Sequence, residues 1–274
     1  MNTITVISVA YNSASVLPSM AQSLPDDVAL IIVDNGPDDG LRDWARIRSI
    51  TLLTPGENLG FGPACNLGAA EATSEFVLFL NPDARLEPMT LPTLLAAATQ
   101  FPAASAFGPV FRSPDGTSQF KRRSYLNRSQ TAPRDPGPDP VVVPCLSGAA
   151  LMVRSAAFQN VGGFDPAIFL YYEDDDLTLR LQSLCGPLVL VPGAVVQHFS
   201  GQSSAPSPNL SRFKGYHWAR SRIHVGRKYG LRLVWLYALK NAVWQLLRPR
   251  SWTSPDRRAE GWGRLAGVLS RIRG

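Results

Sequence analysis

Four consecutive acids, Glu173, Asp174, Asp175 and Asp176, stand between the aromatic run FLYY and the helical pattern LTLRLQSL. Acids at a helix N-terminus gain about 0.3–1 kcal/mol each from the helix dipole, but four adjacent ones repel one another, so capping alone explains them poorly. A carboxylate among aromatics can have a raised pKa and take a proton from a hydroxyl nucleophile, a service that group transfer needs. A further acid, Asp83, follows the apolar run FVLFL, where an ionised carboxylate needs a cation or hydrogen-bond donors. Mg²⁺ or Mn²⁺ meets that need, because both take oxygen ligands, commonly one or two carboxylates with substrate phosphates beside them. His198 ends another apolar run and is a candidate metal ligand, with a satisfied structural histidine as the alternative.

These residues need elements that bring them together. Apolar, β-rich runs recur at 3–10, 28–34, 50–53 and 76–80, and helical patterns fall at 14–23, 40–47, 62–72 and 88–100. The runs ITVISVA and ALIIVD are apolar on both faces, as strands of a helix-covered parallel sheet are. A doubly wound α/β sheet is predicted. Right-handed crossovers in such a sheet leave ligands at the carboxyl ends of the strands. Three runs end there in polar residues: Ala10-Tyr11-Asn12, Asp34-Asn35 and Asn81-Pro82-Asp83. Any one of these is equally an ordinary cap or turn, whereas three on one rim favour a site. The stretch 112–139, rich in Pro, Gly, Ser and Arg, reads as a surface loop. Order returns with SGAALMVR at Ser147, the helical LTLRLQSL, and the apolar run LVLV that leads to His198.

A chain of 274 residues with 45% hydrophobic content sustains one substantial core with an appendage. Its three cysteines, Cys65, Cys145 and Cys185, have neither zinc nor disulfide spacing, which fits a reducing compartment. The opening MNTITVISVAYN reads as a first strand and not as an export signal, so a cytoplasmic protein is expected. The phosphate-binding G-x-x-x-x-G-K-[ST] string does not occur, and GFGPACNLG lacks the third glycine of the dinucleotide fingerprint. Kinase, P-loop ATPase and dehydrogenase readings weaken accordingly. The net charge of +6 conceals a split: residues 212–274 hold 15 Lys/Arg against 2 Asp/Glu, leaving 12 against 19 in the remainder. An acidic body carrying a basic tail points to an anionic partner for the tail.

Taken in order, SVAYN, IIVDN, ENLGFGPACNLG, FLNPDA, GGFDPAIFLYYEDDDLTLR and HFSGQSS closely resemble glycosyltransferase family 2, in particular its rhamnosyltransferase-like members, over roughly residues 3–204. The resemblance implies a GT-A fold: a mostly parallel nucleotide-binding sheet flanked by helices, an acceptor-binding half, and here a basic helical C-terminal extension. The charge split divides the chain into 1–211 and 212–274. The resemblance implies that Ala10 and Tyr11 line the nucleotide, that Asp34 bonds a pyrimidine base, and that Asn58 and Asn66 lie along the donor pocket. Asn81-Pro82-Asp83 takes the place of the family's D-x-D motif, which puts Asp83 on a divalent metal (Mg²⁺ or Mn²⁺) and the diphosphate. Asn81 replaces the first Asp and is left to the ribose or a metal-bound water. Asp174 maps to the family's catalytic base, Glu173 and Asp176 would position acceptor or base, and Asp175 falls at a variable position. Gly148 opens an acceptor-side segment, and His198, in an H-x-x-G-x-S string, maps to a further metal contact.

The implied reaction is an inverting transfer from a nucleotide-sugar, with dTDP-rhamnose as the donor the resemblance suggests, onto a hydroxyl of a cell-surface glycan or lipid-linked acceptor. A sugar nucleotidyltransferase is the rival enzyme, and a non-catalytic nucleotide-sugar-binding protein at the membrane surface is the rival binder. Residues 216–250 mix aromatics, leucines and cations, and Arg232 and Lys240 interrupt the apolar run before it reaches the roughly 20 residues a membrane crossing needs. An interfacial helix on anionic headgroups competes there with plain packing or a dimer contact. No nucleic-acid partner is expected, because no RNA-recognition motif appears. The location that follows is cytoplasmic, peripheral on the inner face of the cell membrane.

Overall fold

The structure, a computed structural model, describes residues 3–37, 40–47, 50–113, 115–199 and 207–271. Its strands, in chain order, are β1 (Ile4–Ala10), β2 (Ala29–Asp34), β3 (Thr51–Leu53), β4 (Phe76–Leu80), β5 (Ala84–Leu86), β6 (Ala106–Arg112), β7 (Ser118–Gln119), β8 (Val141–Val143), β9 (Ala150–Arg154) and β10 (Leu188–His198). The helices are α1 (Leu17–Ala21), α2 (Leu41–Ile47), α3 (Phe61–Ala70), α4 (Thr90–Gln100), α5 (Ser155–Asn160), α6 (Glu173–Leu184), α7 (Pro208–Lys228), α8 (Val234–Leu247), α9 (Pro249–Thr253) and α10 (Pro255–Ser270). The chain forms two compact units, one of residues 1–165 and 174–204, the other of 166–173 and 205–274.

The first unit is built on a ten-stranded sheet in the order β3-β2-β1-β4-β9-β6-β10-β5, with β7 beside β6 and β8 beside β10. Strands β3, β2, β1 and β4 run parallel, and every residue of β1 and of β4 is buried. That burial on both faces is why these runs are apolar throughout instead of alternating. Strand β9 lies antiparallel between β4 and β6, and β10 returns parallel to β6. The run expected at 76–80 has those bounds, while the helix expected at 14–23 shortens to Leu17–Ala21. Pro18 seats the first turn, and the chain reaches Pro25 soon after Ala21.

Strand β6 is not legible in the sequence, because Gly108-Pro109 argues against an interior strand. The sheet accommodates it with a register shift in β10: Val191 pairs Pro109, but Val195 pairs Val110. Pro192 and Gly193 fall inside that shift, so both ladders break where each strand carries a proline.

Helix α3 lies close on the sheet because its contact positions are small. A Cβ at Gly68 would stand 2.6 Å from Ile7 Cγ2, and one at Gly62 would stand 2.9 Å from Phe164 Cβ. Phe164 packs edge-on against Phe79 at 5.1 Å between ring centroids, next to Phe158.

The second unit is helical. Glycines let its helices meet backbone to backbone: a Cβ at Gly263 would fall 2.0 Å from Arg212 O, at Gly267 2.3 Å from Tyr216 O, and at Gly215 2.3 Å from Glu260 O. The tail of the sequence reading is thus a packed α7–α10 pair with α8 against it, around Ala219, Ile223, Ala238 and Val268. Residues 166–173 are held on α7. Phe169 stacks on His217 at 4.0 Å, Ser221 Oγ donates to Leu170 O at 2.8 Å, and Tyr172 meets Trp218 at 5.9 Å. Tyr171 and Tyr172 both adopt left-handed backbone angles, φ 68° and 69°, which a bulky residue takes only when its surroundings impose them.

Gly68→Ala tests the close approach of α3. The added methyl meets a stiff β-branched side chain, so we expect a loss of about 1–3 kcal/mol, measured as a lower urea midpoint with unchanged slope. An unmoved midpoint would place α3 farther from β1 than described.

Candidate active site

The parallel strands bring their carboxyl ends to one rim. Ala10 pairs with Asp34 across β1 and β2, and Asn35 N–H donates to Ala10 O at 2.8 Å. Both Ala10 and Asp34 are buried, and Tyr11 follows partly exposed. Gly36 passes so close to the end of β1 that a Cβ there would lie 3.1 Å from Asn12 N. Asn35 continues the rim: its Nδ2 donates to Asn58 Oδ1 at 2.9 Å and to Gly60 O at 3.0 Å, while Leu59 N–H donates to Asn35 Oδ1 at 2.8 Å. Asn58 Oδ1 also takes Gly60 N–H at 3.0 Å, so this asparagine pair shapes the turn that enters α3. Asn66, one turn into α3, clamps Phe164 with both ends of its amide, at 2.9 Å to O and 2.8 Å from N–H.

Asp83 is buried just past β4, and its Oδ1 accepts no hydrogen bond. His198 Nε2 lies 3.4 Å from that same oxygen, because β10 pairs antiparallel with β5 and sets His198 opposite Ala84. An orphaned carboxylate oxygen beside an imidazole nitrogen is a donor set that suits a divalent cation, so the residues present fit the metal the sequence implies. Among the described residues no group of three or more His, Cys, Asp or Glu side chains gathers as a metal cluster. The sequence string that continues from His198 through Gly201 to Ser203 lies outside the described residues.

The acidic run opens α6, and its members have separate fates. Asp174 Oδ2 accepts Gly148 N–H at 3.1 Å and sits 2.8 Å from Lys121 Nζ, while Asp174 Oδ1 accepts Asp175 N–H at 2.8 Å. Asp175 takes the same ammonium at 3.2 Å and Tyr125 N–H at 3.2 Å. Burial pushes the Asp174 carboxyl up, but Lys121 and the two backbone donors outweigh it and hold the group below the usual aspartate range. Asp175 goes the other way, raised by burial and then by the charge on Asp174. The raised carboxyl expected of the base therefore belongs to its neighbour, because at Asp174 the Lys121 ammonium and the backbone donors outweigh burial. Asp176 has no exposed side-chain surface; Arg180 donates to its Oδ2 twice, at 2.9 and 2.6 Å, and also to Val161 O at 2.7 Å. Asp176 thereby braces α6 through Arg180, on the helix that carries Asp174. Glu173 begins α6 and is also buried.

One chain of bonds ties the two clusters together. Strand β9 pairs with β4 so that Ala150 faces Leu80, and just beyond, Asn81 N–H donates to Ala149 O at 2.9 Å. Gly148 precedes Ala149, and its N–H is the one that holds Asp174. No side chain larger than hydrogen fits easily there, since a Cβ on Gly148 would stand 3.1 Å from Asp174 Cβ. Lys121 is the functional residue that sequence reasoning missed. It sits in the stretch read as a surface loop, and its side chain is only 21% exposed.

The sequence profile of Glycosyl transferase family 2 matches residues 5–162. The chain belongs to glycosyltransferase family 2. An N-acetylglucosaminyl-diphospho-decaprenol L-rhamnosyltransferase of Mycobacterium tuberculosis is 33% identical over 239 aligned residues, covering 74% of this chain and 78% of the relative. The fold is GT-A. A mannosyltransferase from Pyrobaculum calidifontis, solved with GDP-Man and Mn²⁺, superposes with a TM-score of 0.61 at 14% identity, over 98% of this chain and 87% of that one. GalNAc-T7, solved with UDP, GalNAc and Mn²⁺, gives 0.63 at 16% identity, over 99% of this glycosyltransferase and 56% of that chain.

The shared ammonium makes Lys121→Met informative. A carboxyl held low in the folded state adds stability above its unfolded pKa of about 3.9 and loses it as pH falls through the folded value, whereas a raised one does the reverse. Removing Lys121 leaves Asp174 and Asp175 two adjacent, largely buried acids with backbone donors but no countercharge from Lys121. We expect a loss of about 3–5 kcal/mol near neutral pH that shrinks toward about pH 4, where the acids protonate. A gap between wild type and variant that stayed constant over that range would exclude the ion cluster.

Proposed function

We propose that this glycosyltransferase moves a sugar, L-rhamnose by likeness to its mycobacterial relative, from a nucleoside-diphosphate donor to a hydroxyl of a lipid-linked or cell-surface glycan, with inversion at the anomeric carbon. The observation that carries this reading is the backbone link from Asn81 through Ala149 to Gly148 and Asp174, since it holds a candidate base at a fixed offset from the Asp83–His198 pair. Ala10, Tyr11 and Asp34 face the nucleoside, with Asp34 accepting from the base. Asn35, Asn58 and Asn66 keep the turn into α3 and the Phe164 segment in place beside the donor, and Asn81 reaches the ribose.

Asp174 accepts the proton of the acceptor hydroxyl as that oxygen bonds the anomeric carbon from the face opposite the diphosphate. The carbon–oxygen bond to the diphosphate breaks in the same step, and a nucleoside diphosphate leaves. Asp174 stays ionised at neutral pH because Lys121 and Gly148 N–H stabilise its charge, so it is ready to take a proton, and Asp176 with Arg180 keeps α6 from shifting under it. A divalent cation held by Asp83 and His198 would neutralise charge on the departing diphosphate.

Product analysis separates transfer from nucleotidyl chemistry: with dTDP-rhamnose and an acceptor, dTDP is expected, whereas released pyrophosphate would overturn the reading. Asp174→Asn is expected to bind donor as the wild type does and to lose turnover by at least ~10²-fold, the scale of general-base catalysis. Wild-type turnover in that variant would remove Asp174 from the chemistry. Calorimetry with the donor, in Mn²⁺ and then in chelator, is expected to show metal-dependent affinity in the wild type and none in Asp83→Ala. An Asp83→Ala protein that still responds to Mn²⁺ would move the metal elsewhere.

A further inference from the structure

Helix α8 is amphipathic in the inverted sense. Its inward positions are small or modest, with Val234, Ala238 and Ala242 buried, whereas Leu236, Tyr237, Val243, Trp244 and Leu247 are 50%, 54%, 40%, 52% and 65% exposed. Leu236, Val243, Trp244 and Leu247 recur at helical spacing and, with Leu239 and Lys240, line one shallow apolar groove of about 390 Å³. A soluble helix with nothing to meet turns such residues inward. Trp252, in the next helix, adds another large exposed apolar surface at 69%.

The charges around this face identify its partner. From Leu231 to Ser254 the sequence carries Arg232, Lys240, Arg248 and Arg250 and no acidic residue. Arg248 lies over the Trp244 ring at 3.1 Å from its centroid, so cation and aromatic share one spot of surface. Apolar side chains interleaved with tryptophan, arginine and lysine match the boundary between acyl chains and anionic headgroups. A second copy of the same face would set cation against cation, which disfavours self-association. No helix among the described residues is long and apolar enough to cross a membrane, so the contact is with the surface.

We infer that the outward face of α8, through Leu236, Val243, Trp244 and Leu247 with Lys240 and Arg248 at its side, docks on an anionic lipid bilayer. The inference rests on the helical unit alone and is independent of the transfer chemistry proposed above.

Sedimentation of the full chain with phosphatidylglycerol vesicles, and separately with phosphatidylcholine vesicles, tests it. Wild type is expected to pellet with the anionic vesicles, to stay in solution with the neutral ones, and to be released by added salt. The triple variant Leu236→Ser, Trp244→Ser, Leu247→Ser changes exposed positions only, so its melting temperature should match the wild type while its vesicle affinity falls at least ~10-fold. The double variant Lys240→Glu, Arg248→Glu should lose the preference for anionic lipid. Full vesicle binding by the triple variant overturns the assignment, as does wild type that stays in solution with both vesicles. So does a wild-type dimer, seen by ultracentrifugation, that the triple variant converts to monomer while vesicle binding is absent.

Discussion

Negative charge crowded at the start of one helix is the constraint around which the first unit is arranged. Asp174, Asp175 and Asp176 follow one another with little access to water, and the helix dipole offsets only a fraction of their mutual repulsion. Each is therefore met by something distant in the chain. Lys121 reaches in from the long connection after β6, Gly148 offers its amide from the entrance to β9, and Arg180 returns from one turn further along α6. The connection is held inward by this electrostatics, since Tyr125 N–H also ends on Asp175.

The sheet supplies the complementary half of the arrangement. Parallel pairing of β1, β2 and β4 delivers Ala10, Asp34 and Asn81-Asp83 to one edge, and the return of β10 sets His198 beside Asp83. The Asp83–His198 pair and Asp174 then need no flexible bridge between them. They are joined by ladder hydrogen bonds that a protein interior keeps short and directional.

Much of this was legible before any coordinates, for a physical reason. Strands buried on both faces leave uninterrupted apolar runs, and a polar residue that stops such a run, as Asp83 stops FVLFL, stands out. His198 stands out the same way. Lys121 does not, because a lysine among Pro, Gly, Ser and Arg looks like any solvated loop cation, and its partner is 53 positions away. The direction in which the Asp174 carboxyl moves is hidden for the same cause: local aromatics are visible in sequence, and a remote ammonium is not. Strand β6 hid behind Gly108-Pro109, since only the matching irregularity in β10 makes a proline tolerable there. The inverted face of α8 is half visible, as an apolar run broken by cations; which residues point outward follows only from the packing of Ala238 with Ala219, Ile223 and Val268.

The antiparallel placement of β9 between β4 and β6 carries one more consequence. Because the seam from Leu80–Ala150 to Asn81–Ala149 continues the β4–β9 ladder, the spacing between the Asp83–His198 pair and Asp174 is set like the jaws of a fixed caliper.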